Sequence, residues 1–77
     1  MTHAGVRTLR QTRTALMLTI RGLANAAGCS PQTVHQIESG KRRPHFATIR
    51  RLSAALGVEP MQVVEFRRAL LVEPEDA

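Results

Sequence analysis

A chain of 77 residues, 43% hydrophobic, can build one small core but not a sizeable enclosed pocket, and its single cysteine, Cys29, excludes an intrachain disulfide and fits a reducing compartment. No apolar run approaches the roughly 18 residues of a membrane span, and the N-terminal "MTHAGVRTLRQTR" lacks the apolar segment of a signal peptide, so the expectation is a cytoplasmic domain with no membrane partner. The net charge of +5 is unevenly placed, with nine Lys or Arg against Glu38 alone before position 59, then Arg67 and Arg68 against five acids, and this basic body with an acidic tail points to a polyanionic partner.

Helical periodicity runs through the chain and no alternating strand pattern interrupts it. Val6, Leu9, Arg13 and Leu16 recur at spacings of three and four, which predicts a first helix from Val6 to about Leu16. Thr19 is placed to cap a second, Ile20 to Ala27, whose Ile20, Leu23, Ala24 and Ala27 share a face and which stops at Gly28. Ser30 caps a third, with Pro31 at the first helical position where its missing N–H costs nothing, running to about Glu38 or Ser39 and ending at Gly40. Pro44 breaks the chain again. A fourth helix follows from Phe46 to Leu56, closed by Gly57, and a fifth from about Met61 to Leu70. The reading is one all-α domain over residues 1–77, five short helices with a core of about residues 6–70 and a polar acidic tail at 72–77.

The second and third helices, joined by "AAGCS" around Gly28, form a helix-turn-helix arrangement in which Leu23 and Ala24 face Val34 and Ile37. With Val34 and Ile37 turned inward, Gln32, Thr33 and Gln36 point outward with Ser30 at the lip, followed at once by Lys41, Arg42 and Arg43. Glutamine can pair bidentately with adenine in the major groove, and threonine can reach a base edge or a thymine methyl. Singly these are ordinary solvated side chains; together on a basic surface they suggest a reading surface. With Phe46 and Phe66 as the only aromatics, a platform for stacking single-stranded bases is not expected, and duplex DNA is favoured.

The segment "LTIRGLANAAGCSPQTVHQIESGKRRP" followed by "TIRRLSAALGV" resembles the Cro/repressor-type (XRE-family) helix-turn-helix domains, which include phage repressors and small bacterial regulators. Leu23, Ala24, Gly28, Ser30, Val34, Ile37, Glu38, Gly40, Lys41 and Pro44 all fall in that family's register, over Leu9 to about Phe66. The resemblance implies a compact five-helix lambda-repressor-like domain whose third helix, about residues 31–38, enters the major groove. By the same resemblance Gln32, Thr33 and Gln36, with Pro31 beside them, would read bases, while Ser30, Lys41, Arg42 and Arg43 would hold phosphates. It also implies an ion pair between Arg13 and Glu38, which the charge count supports independently, because a lone carboxylate beside a DNA-facing surface needs a partner.

Four positions depart from the family pattern. Ile20 stands where many members carry a phosphate-contacting Gln and is expected to pack instead; Met17 stands where Gly often ends the first helix, so either a different helix end or strain is expected there. Gly22 lies inside the second helix at a cost of about 1 kcal/mol relative to Ala. His45 replaces a Ser cap, leaving capping, phosphate contact and plain solvation as alternatives. One of Arg50 and Arg51 could reach the DNA backbone while the other points to solvent. Cys29 is expected to be a buried spacer; His3, His35 and His45 have no ligand-like spacing with it, so no metal and no cofactor are expected. No nucleophile–base pair or paired carboxylates share a face, which argues against an enzyme, and no small-molecule ligand is expected. The apolar surplus of "PMQVVEFRRALLV" predicts a homodimer through the fifth helix and its C-terminal extension. The function expected is a sequence-specific, duplex-binding transcription regulator of bacterial or phage origin on a palindromic operator; the alternative is an antitoxin-like subunit that binds DNA only within a complex.

Overall fold

The computed structural model describes residues 5–71, so the acidic tail at 72–77 and the residues before Gly5 lie outside it. Five helices follow one another, α1 Leu9–Ala15, α2 Ile20–Ala27, α3 Pro31–Glu38, α4 Phe46–Leu56 and α5 Val64–Leu71, with a 3-10 turn at Pro60–Gln62. The first four begin or end on a local signal. Thr8 caps α1 through its hydroxyl, which accepts from the Gln11 N–H at 3.0 Å, while the Gln11 amide oxygen accepts from the Thr8 N–H at 3.0 Å. Thr19 and Ser30 cap α2 and α3 by accepting from the Gly22 and Thr33 N–H groups.

α1 to α4 all close in the same way, with the residue after a left-handed position donating back five positions: Leu18 to Arg13, Cys29 to Ala24, Lys41 to Gln36 and Val58 to Ser53. This closure needs a left-handed residue. Gly28, Gly40 and Gly57 supply it at three ends, and Met17, with φ of 60°, supplies it at the end of α1. The strain expected at Met17 is therefore present, and its side chain gains little from packing, being 90% exposed. Gly22, by contrast, has a steric reason. A Cβ there would sit 3.1 Å from the Thr19 hydroxyl that caps the same helix.

Two helix starts differ from the periodicity. α1 begins at Leu9 and not at Val6, and α5 begins at Val64 and not at Met61. The cause is one long-range pairing: the Arg7 N–H donates to the Gln62 carbonyl at 3.0 Å and the Arg7 carbonyl accepts from the Val64 N–H at 2.8 Å, a parallel bridge between Arg7 and Val63. Residues committed to that bridge are extended, so neither helix can include them. Glu65 reinforces the junction by accepting from the Leu9 N–H at 2.7 Å, satisfying a donor at the start of α1 from the far end of the chain.

The core is built from Leu9, Leu23, Ala24, Ala27, Val34, Ile37, Ile49, Leu52, Leu56, Val63, Phe66 and Ala69, with Ile20 and Cys29 packed at its edge. α2 packs on both α3 and α4. Ala24 is buried where α2 meets its neighbours, and α3 is thereby held with Val34 and Ile37 inward and its other face free. One buried polar atom, the Ser53 hydroxyl on α4, has no hydrogen-bond partner among the described residues.

Candidate nucleic-acid interface

The outer face of α3 is presented by the helix-turn-helix itself. Pro31 and Gln32 are exposed, Thr33 and Gln36 are half-buried, and Lys41, Arg42 and Arg43 are all exposed in the turn that follows. The structure brings three of these residues, with Ser30 at the N-cap, into one hydrogen-bonded chain. The Ser30 and Thr33 hydroxyls lie 2.9 Å apart, and the Arg42 guanidinium donates through Nη1 to Thr33 Oγ1 at 3.4 Å and to Gln36 Oε1 at 3.3 Å. These last two bonds are at the long end of the usual range. Arg42 thus lies back over α3, whereas Lys41 and Arg43 make no side-chain hydrogen bond among the described residues. Nothing in the spacing of Thr33, Gln36 and Arg42 announces this contact, which depends on the reversal of the chain at Gly40.

Directly behind this face, Glu38 is held out of solvent. Its side chain is 1% exposed and accepts from Arg13 Nε at 2.7 Å and Nη2 at 3.1 Å, while Arg13 Nη1 donates to the Leu18 carbonyl at 2.8 Å. The guanidinium is held protonated above its ordinary range, chiefly by the Glu38 hydrogen bonds and against the opposing effect of burial. Arg10, on the exposed surface of α1, adds a second, looser contact to Glu38 at 3.6 Å that charge counting does not reveal. The consequence is electrostatic: the carboxylate nearest the α3 surface is neutralised from behind, and the outward face carries amides, hydroxyls and cations.

The remaining positions sort simply. Ile20 is half-buried and packs against the core, as its apolar character requires, so α2 begins without the amide that the family often places there. His45 occupies the N-cap of α4 but makes no side-chain capping bond, which removes capping from its three readings. Arg50 and Arg51 are both exposed. Cys29 is half-buried at the α2–α3 turn; desolvation pushes its thiol up from the ordinary range, partly offset by the charge of Arg51. An open cleft of about 270 Å³ separates Ile37 and the Gly40–Pro44 turn from Arg68 and Ala69 on α5, just below the range typical of ligand pockets. Among the described residues no three His, Cys, Asp or Glu side chains gather as a metal site requires, and no helix is long and apolar enough to cross a membrane.

A family model described as a helix-turn-helix domain matches residues 6–66, from before α1 into α5. The chain belongs to that family, which is one of the Cro/C1-type helix-turn-helix DNA-binding domains. A helix-turn-helix domain of this type is a DNA-binding domain of all-α fold, and membership points to DNA as partner and transcription regulation as role, in a family that is typically non-enzymatic. No curated protein and no solved structure matches the chain significantly.

Proposed function

We propose that this helix-turn-helix domain is a sequence-specific transcription regulator that lays α3 in the major groove, reading bases with Gln32, Thr33 and Gln36 beside Pro31. Ser30, Lys41, Arg42 and Arg43 contribute the contacts to phosphate, and the Arg13–Glu38 pair keeps the helix seated without leaving a bare carboxylate near DNA. The observation that carries this reading is the division of α3 itself: Val34 and Ile37 are buried in the core while the amide and hydroxyl side chains face outward among cations. Phosphate contacts set most of the affinity and its salt dependence, and base contacts set the discrimination.

Recognition by one short helix covers few base pairs, and a symmetric pair of domains spaced about 34 Å apart reads a palindrome. The proposed dimer surface is α5 and its extension. Val63 and Phe66 are spent on the domain's own core, whereas Met61 is 41% and Leu71 66% exposed, leaving apolar area for a second copy; Val72 of that extension lies outside the described residues.

The test is selection of bound sequences from a random duplex pool with the protein alone. An enriched site with two inverted half-sites is expected, and Gln32→Ala should relax one position in each half, costing about 1–3 kcal/mol on the selected site. Equal affinity for selected and random duplexes would overturn the specificity, and binding only after addition of a second protein would favour the antitoxin-like alternative.

A further inference from the structure

Resting on the reading of α3 as the base-reading helix, we infer that Arg42 determines specificity by fixing the Gln36 amide, so that the base opposite Gln36 is guanine and not adenine. Donors and acceptors fix the orientation of the amide. A guanidinium carries only N–H donors, so the atom of Gln36 facing Arg42 has to be the carbonyl oxygen; turning the amide over would set NH2 against N–H. The 3.3 Å contact from Arg42 Nη1 to Gln36 Oε1 therefore assigns the amide orientation chemically.

The same guanidinium also donates to Thr33 Oγ1, whose hydroxyl is already bonded to Ser30. Two of the acceptors that α3 would offer a base, Gln36 Oε1 and Thr33 Oγ1, thus lie under a cation. What remains outward is donor-rich: the Gln36 NH2 and the unused N–H groups of Arg42, which is exposed.

Adenine presents one acceptor and one donor in the major groove, N7 and N6–H2, and a glutamine reads it by using both ends of its amide. With Oε1 beside Arg42, the adenine amino group would have to approach a carbonyl flanked by other N–H donors. Guanine presents O6 and N7, both acceptors, and matches a surface of donors.

The experiment repeats the random-pool selection with wild type, Gln36→Ala, Arg42→Ala and Arg42→Lys, with circular dichroism to show that each variant is folded. The position that responds to Gln36→Ala marks the base opposite Gln36. Wild type is expected to prefer G over A there by about five- to a hundredfold, the range of one good bidentate contact. In Arg42→Ala the released amide should lose that preference or turn it toward A. Arg42→Lys keeps the charge but not the planar fork, so it should hold the salt slope near wild type while losing most of the G preference. An unchanged G preference in Arg42→Ala, an adenine in the wild-type site, no position responding to Gln36→Ala, or a uniform loss of affinity across all sequences would each overturn the inference. Absence of any base preference in wild type would instead overturn the proposed function, so the two failures are distinct.

Discussion

Removing Arg13 while leaving Glu38 in place should be the most damaging single change at the helix-turn-helix. In Arg13→Met, the Glu38 carboxylate stays 1% exposed and loses both short bonds, keeping only the 3.6 Å contact from Arg10, which is itself 69% exposed and freely solvated. The Leu18 carbonyl loses its donor as well. A stranded buried charge costs about 3–5 kcal/mol, against a total stability of about 4–12 kcal/mol for a domain of this size. The melting temperature should fall by at least about 12 °C, taking 4–8 °C per kcal/mol. Glu38→Leu should cost less, because Arg13 is 11% exposed and its long side chain can turn its charge outward. The double variant Arg13→Met/Glu38→Leu should recover much of the loss, since nothing charged is then left buried. Urea unfolding followed by circular dichroism gives all three values, and an unchanged m-value shows that the unfolded states are comparable. If Arg13→Met lay within about 1 kcal/mol of wild type, or if the two single losses simply added in the double variant, the pair would behave as a surface ion pair and the reasoning would fail.

Met17→Gly should raise stability by about 0.5–1 kcal/mol, since relief of the left-handed strain outweighs the added freedom of the unfolded chain; thermal unfolding would show it, and a loss would mean the residue is not strained. Ser53→Ala should stabilise by about 1 kcal/mol by removing a buried hydroxyl without a partner, and a loss of stability would indicate a bond that the geometry does not show. Because the folded state raises the Cys29 pKa, it binds that proton more tightly than the unfolded chain does. Stability is then full below the ordinary thiol range and declines as pH rises through the shifted value; Cys29→Ala should abolish this alkaline decline, and an identical decline in the variant would assign it elsewhere.

What could be read without coordinates was whatever local chemistry controls. α2 and α3 begin and end, and α4 ends, where their caps and glycines place them, because Thr19, Ser30, Gly28, Gly40 and Gly57 act on backbone groups a few residues away. The inward set of α3, Val34 and Ile37, follows from helical spacing, and the family was legible because those local signals coincide with its register. The Thr8–Gln11 capping box that starts α1 is local, and periodicity alone overran it to Val6. The start of α5 was not legible, since the Arg7–Val63 bridge joins segments at opposite ends of the chain and no local pattern encodes it. The same holds for the Glu65 carboxylate on the Leu9 N–H. Arg42 shows the difference most sharply. Its charge and exposed turn were evident from composition and from Gly40, but its contacts with Thr33 and Gln36 arise only when the chain doubles back over α3. A periodic pattern assigns faces to helices; which long side chain then lies across which face is set by three-dimensional closure, where residues far apart in sequence compete for the same few hydrogen-bonding atoms.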